Sequence, residues 1–215
     1  MLFKFFLFAT LLLFSTSLFS ELLSQSSKDY KEKILVQNFE SLELSKLEMR
    51  VWANTNYLPD MKLSKILTSP DLQSNTSLTI RTLAGMKGIP FDISFKEPLV
   101  LDDFIIEFEF NIYSNDIKSD LYLILQDTKF QVHKILISHL NFDGWKQIKV
   151  SVQNQIYQND FVLNSKNPIK LIGFAMQPSK LGESTERENI LAIDDFFYIK
   201  RQKYKLPNNG LEYFH

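Results

Sequence analysis

Cysteine is missing from the 215-residue chain. Its absence excludes disulfides, thiolate chemistry, a zinc-thiolate site and a lipoprotein anchor on an N-terminal cysteine. Glycine and proline are scarce, at 6 and 7 residues, which leaves little material for long linkers. Neither sign of charge dominates. The formal net charge is −1, so there is no overall basic field to attract nucleic acid or an anionic membrane. No internal repeat divides the sequence, and its length fits one domain. Histidine occurs only as His133, His139 and His215, with no HExxH pairing. GxSxG segments and Gly-rich phosphate loops are also missing. The chain therefore reads as a non-enzyme.

Apolar material is plentiful. Hydrophobic residues make up 45% of the chain against 23% charged, and phenylalanine alone contributes 19. That composition suffices for a core without disulfides. The N-terminus carries Lys4, an apolar run from Phe5 to Phe14, and then Ser15-Thr16-Ser17-Leu18-Phe19-Ser20 before Glu21. One positive charge, a short apolar stretch and small residues before a polar one describe a secretory signal peptide over residues 1–20. A retained anchor would need about 20 apolar residues, and the serines and threonine shorten this run. A polar arm is expected over residues 21–33, a β-sandwich over 34–200 and a basic tail over 201–215, the tail including Arg201, Lys203 and Lys205.

The organising stretch is Phe104-Ile105-Ile106-Glu107-Phe108-Glu109-Phe110-Asn111-Ile112-Tyr113. Phe104, Ile106, Phe108, Phe110 and Ile112 recur at a period of two, which predicts a strand with one core face. Ile105, Glu107, Glu109, Asn111 and Tyr113 would form a mostly wet face. A half-buried strand of this length needs antiparallel partners and a second layer. Similar patterns recur in residues 34–40, 48–53, 77–83, 89–95, 121–125, 130–137, 145–152, 169–177 and 189–200, with turn signals between them. The stretch from Asn54 to Asn75 shows no clear period and reads as a long loop, with one or two helical turns over Met61 to Leu67. Roughly nine or ten strands without a long amphipathic helix predict an all-β fold, an antiparallel β-sandwich of jelly-roll type, with an up-and-down barrel as the alternative.

Glu107 and Glu109 share a face with Cα atoms about 7 Å apart, but wet strand faces are ordinarily polar, so they read as solvated charges. Asp194-Asp195 is an acidic pair within an otherwise apolar strand. Adjacent residues point to opposite faces, so at least one carboxylate approaches the interior and needs a partner or a cation. If the first and last strands lie side by side, Glu40 comes near Asp194, and an oxygen-rich site there would suit a structural Ca²⁺. Carboxylates held by loop N–H groups or by a cationic side chain are the alternative, with no cofactor at all. Trp52, Tyr57 and Trp145 are the aromatic candidates for a sugar or partner contact. Trp52 has apolar neighbours, and Trp145 after Gly144 also reads as a rim aromatic locking a strand start. Gly173 in mid-strand predicts a bulge or a close backbone approach, and Phe39 and Phe196 read as core.

The order Ile34-Leu35-Val36-Gln37-Asn38-Phe39-Glu40, then Gly144-Trp145-Lys146-Gln147-Ile148-Lys149-Val150, Ile172-Gly173-Phe174-Ala175-Met176 and Ile193-Asp194-Asp195-Phe196-Phe197-Tyr198-Ile199 resembles galactose-binding-like β-sandwiches, carbohydrate-binding modules among them. Within that group it most resembles the flagellar filament outer-layer (sheath) proteins of spirochaete periplasmic flagella. The resemblance implies a periplasmic structural subunit that supports motility. Its implied partners are filament core proteins and other sheath subunits, with no nucleic acid and no membrane once the signal is removed. The alternative it carries is a module binding carbohydrate or cell wall.

Overall fold

A computed structural model describes residues 31–52, 58–70, 74–82, 90–158, 168–178 and 188–201. The expected leader, most of the polar arm and the tail beyond Arg201 lie outside these residues, as does Tyr57. Lys33–Lys200 forms one compact unit.

The described residues form eleven strands: β1 (Lys31–Gln37), β2 (Leu47–Val51), β3 (Asp60–Ser64), β4 (Ser77–Thr82), β5 (Phe91–Leu101), β6 (Ile105–Asn115), β7 (Ser119–Gln126), β8 (Val132–His139), β9 (Asp143–Ser151), β10 (Ile169–Pro178) and β11 (Asn189–Arg201). The only helical element among the described residues is a 3-10 turn at Leu44–Lys46. One sheet runs β3-β4-β11-β6-β9, with β1 also paired to β11; the other runs β2-β5-β10-β7-β8. Along both of these orders neighbouring strands pair antiparallel, and the two sheets make the expected β-sandwich.

The core is aromatic where the sheets face each other. Phe110 of β6 stacks on Phe196 of β11 with centroids 4.6 Å apart. Phe174 of β10, from the opposite sheet, meets both edge-on at 6.1 Å. Offset and edge-on contacts suit the ring quadrupoles and add to the burial of large apolar area. Phe39 and Phe196 are both fully buried, as read from the sequence.

Three local expectations need correction. Phe108, Phe110 and Ile112 are buried, but at the start of β6 the buried residue is Ile105, whereas Phe104 and Ile106 are half-buried. An irregularity against β11, between Ile199 and Lys200, changes the register there, and a one-residue slip exchanges the faces. In β10 a period of two groups Ile172 with Phe174 and Met176, but the core residues are Leu171, Phe174 and Met176, and Ile172 is only half-buried. The register shift lies between Leu171 and Gly173 against both neighbours. Gly173 is required there, since a Cβ would overlap the carbonyl oxygen of Ile93. Finally, Met61 to Leu67 forms no helical turns. Met61 and Leu63 alternate along β3 and pack against the core, pairing with Ile80 and Leu78 of β4.

Candidate functional site

The loop after β1 turns sharply at Phe39, whose φ of 61° is left-handed. Gln37 and Asn38 side chains accept from the N–H groups of Phe39 and Glu40, and the turn aims Glu40 back at the start of β4. The Glu40 carboxylate accepts from the Asn75 N–H and, at 3.3 Å each, from the Ser74 and Thr76 hydroxyls. These bonds, led by that of the Asn75 N–H, hold its pKa below the usual carboxylate range.

Asp194 reaches the same place from β11. Its carboxylate is fully buried and accepts from the N–H groups of Ser69 (3.0 Å) and Asp195 (2.8 Å) and from the Ser74 hydroxyl. Burial raises its pKa; the three hydrogen bonds oppose the shift without cancelling it, and Glu40 raises it further. Ser74 thus joins the two predicted residues. Its single hydroxyl also lies 3.0 Å from the carbonyl oxygens of both Asn38 and Thr76. One hydroxyl has one proton, so it donates to one of these four oxygens at a time, and its bonds to Glu40 and Asp194 are alternatives. This surplus of oxygen is chemistry that a hard cation would fit. Among the described residues no three Asp, Glu or His side chains gather as a metal site. The Ser74, Asn38 and Thr76 contributions were not legible beforehand, because two of them are main-chain oxygens. Asp195 lies beside Asp194 across a break in the pairing, with φ 42°, and both are buried.

Glu109 is not a solvated charge on a wet face. Only 4% of it is exposed. Lys149 reaches it at 2.7 Å and Lys33 at 2.5 Å, and the Lys33 ammonium also lies 4.1 Å from the centre of the Phe197 ring. Burial would raise its pKa, but hydrogen bonds and charge from the two lysines outweigh this and hold it low. A carboxylate so neutralised is a structural ion cluster, and catalysis with Glu107 has no support in it.

Trp145 is half-buried near the start of β9 and meets Tyr113 of β6 edge-on at 5.7 Å. Trp52, among apolar neighbours in sequence, is 54% exposed, and the Arg50 guanidinium sits 4.5 Å from its ring centre. Arg50 pairs with Asp92 of β5, which faces Ala175, then Tyr122, then Leu136 in one row across the outer face of the five-stranded sheet. That face is concave. Lys134 of β8 reaches Asp92 at 3.5 Å, although three strand spacings and two residues of register would hold their Cα atoms about 16 Å apart on a flat sheet, further than the two side chains span. His133 is structural: its Nε2 lies 2.8 Å from the buried Asp127 carboxylate.

Residues 102–200 match the family model of the flagellar filament outer layer protein Flaa. The outer-layer resemblance is borne out over that span, which runs from just before β6 almost to the end of β11. No curated protein sequence matches the chain. Among solved structures, the family 11 carbohydrate-binding module from Clostridium thermocellum in complex with a β-1,3-1,4-mixed-linked tetrasaccharide is similar at a TM-score of 0.51 and 13% identity, covering 80% of this chain and 98% of its own. The family 11 module of the cellulosomal cellulase Lic26A-Cel5E of Clostridium thermocellum is similar at 0.49 and 12%, covering 81% and 98%. The first likeness shows the shared galactose-binding-like sandwich fold and nothing about a ligand.

Proposed function

We propose that the chain is a non-enzymatic structural subunit of a flagellar filament outer layer, exported to the periplasm after loss of residues 1–20 and acting in motility. The Flaa family match over residues 102–200 carries this reading. The sandwich supplies what such a subunit needs: two outer sheet faces and two ends for contacts to filament core proteins and to neighbouring subunits, without an active site. The β3–β4 connection presents Ile66 at 97% exposure and is one candidate contact. Glu109 is buried, so the β6 surface expected to carry a free acidic pair offers only Glu107. Gene deletion tests the reading. Thinner filaments with altered cell shape or swimming are expected, and unchanged filaments in the deletion strain would defeat it.

A second reading, carbohydrate binding, draws on the concave sheet face with Trp52 exposed beside it; Trp145 with Tyr113 is the other aromatic platform, and Tyr57 stays a candidate from sequence alone. Sugar-array binding lost on Trp52→Ala would favour it. For the Glu40–Asp194 cluster we propose a structural Ca²⁺, held by the two carboxylates with the Asn38 and Thr76 carbonyls. The surplus of acceptors around Ser74 supports this. The ion would link the β1 loop to β11.

A further inference from the structure

Edge strands leave N–H and C=O groups unpaired and are usually guarded by charge, brevity or bulges. Five strands have a partner on one side only among the described residues: β1, β2, β3, β8 and β9. Four of them fit that rule. β2 and β3 have five residues each and carry Glu48, Arg50, Asp60 and Lys62. β1 carries the exposed Lys31, and β9 shows Lys146 and Gln147 to solvent. β8 is different. Val132 is 59% exposed and Leu136 39%, and Phe130 just ahead of the strand is 63% exposed. Its one outward charge between them, Lys134, is drawn across the concave face to Asp92. From Val132 to Leu136 the pairing with β7 is regular, so this segment is a straight, apolar template.

We propose that two copies of the chain associate by antiparallel pairing of β8 with β8 about Lys134, continuing the five-stranded sheet across the interface. In this register Val132 of one copy lies opposite Leu136 of the other, twice, giving two apolar cross-strand pairs. The two Lys134 side chains would face each other at the two-fold axis, which is unfavourable for like charges. The Asp92–Lys134 ion pair removes that conflict, since each copy neutralises its own lysine and pulls it off the edge. Charge therefore fits a second copy in this register, with Asp92 as a residue that controls association from three strands away. The interface is isologous, the usual form of a closed dimer. It does not depend on the filament reading.

The test uses the whole protein purified from cells, with mass measured by light scattering over a concentration series. The wild type should reach the mass of two chains. Asp92→Asn should reduce it to one chain with the melting curve retained, and adding Lys134→Leu to Asp92→Asn should restore two. Because the chain has no native cysteine, Val132→Cys with Leu136→Cys gives an independent readout. Within one copy these positions lie about 13 Å apart along the strand, too far for a disulfide. Oxidation should link two copies. A mass of one chain at every concentration, or a dimer indifferent to Asp92→Asn, overturns the proposal, as does failure of the paired cysteines to cross-link.

Discussion

Glu109 shows how a single charge is tolerated on a covered sheet face. Two lysines neutralise it, yet both keep much of their surface in water, so the cluster is a modest stabiliser. Glu109→Gln should lower stability by about 1–2 kcal/mol in chemical denaturation, and Lys149→Met by less than ~1 kcal/mol. The buried acids also fix the pH response. Glu109 and Asp127 have lowered pKa values, so their contribution is present above the ordinary carboxylate range and is lost as pH falls through their folded values. Asp194 has a raised pKa, so its protonation favours the folded state as pH falls from neutral through that value. With chelator present, melting temperature should therefore hold or rise slightly on mild acidification before it falls below about pH 4, and Asp194→Asn should abolish the rise. A monotonic fall from pH 7 in the wild type with chelator would contradict this assignment. If the Ca²⁺ proposal holds, chelator lowers the melting temperature at neutral pH, because a ligand bound only to the native state stabilises it. An unchanged curve leaves the hydrogen-bonded carboxylates without a metal.

At the scale of the element, the β7–β8 turn is held by one residue. Asp127 is buried, accepts from the N–H groups of Lys129 (2.8 Å) and Gln131 (2.9 Å) and meets His133 at 2.8 Å. The bonds keep Phe130 in a left-handed conformation, φ 64°, that an aromatic residue adopts only at a cost. Asp127→Ala should cost about 2–3 kcal/mol, because it strips three donors at once. Gly173→Ala should cost about 3 kcal/mol or more, as its Cβ meets the β5 backbone rather than a side chain that can move. Thermal melts of the two variants check both values. The strands themselves were legible because a period of two survives in most of them, and Gly173 marked its own bulge. Positions around the irregularities were not. Ile105 and Ile172 exchange roles with their neighbours where β6 and β10 slip, and register against another strand is not encoded locally. β3 was hidden because Met61 and Leu63 are too few to establish a period beside Pro59 and the polar run that follows. For the candidate site, the approach of Glu40 to Asp194 could be anticipated from the order of strands. The hydroxyl that joins them could not, since Ser74 looks like any loop serine until the chain is folded.

At the scale of the molecule, the two sheets separate stability from display. The aromatic core of Phe110, Phe174 and Phe196 locks one sheet to the other and leaves the outward-facing residues to other contacts. On one face the β3–β4 connection bonds down onto β6 and β11 through Ser69, and on the other a concave surface is bridged by an ion pair. Weak contacts at such surfaces suffice in a polymer, where neighbours supply avidity. The account's central claim is membership of a filament outer layer, and its most direct test is protein detection in purified periplasmic flagella. The account predicts the chain in the filament fraction in amounts comparable to the other filament proteins, with its N-terminus near residue 21. Recovery only in the soluble or membrane fraction, with none on the filaments, would contradict it.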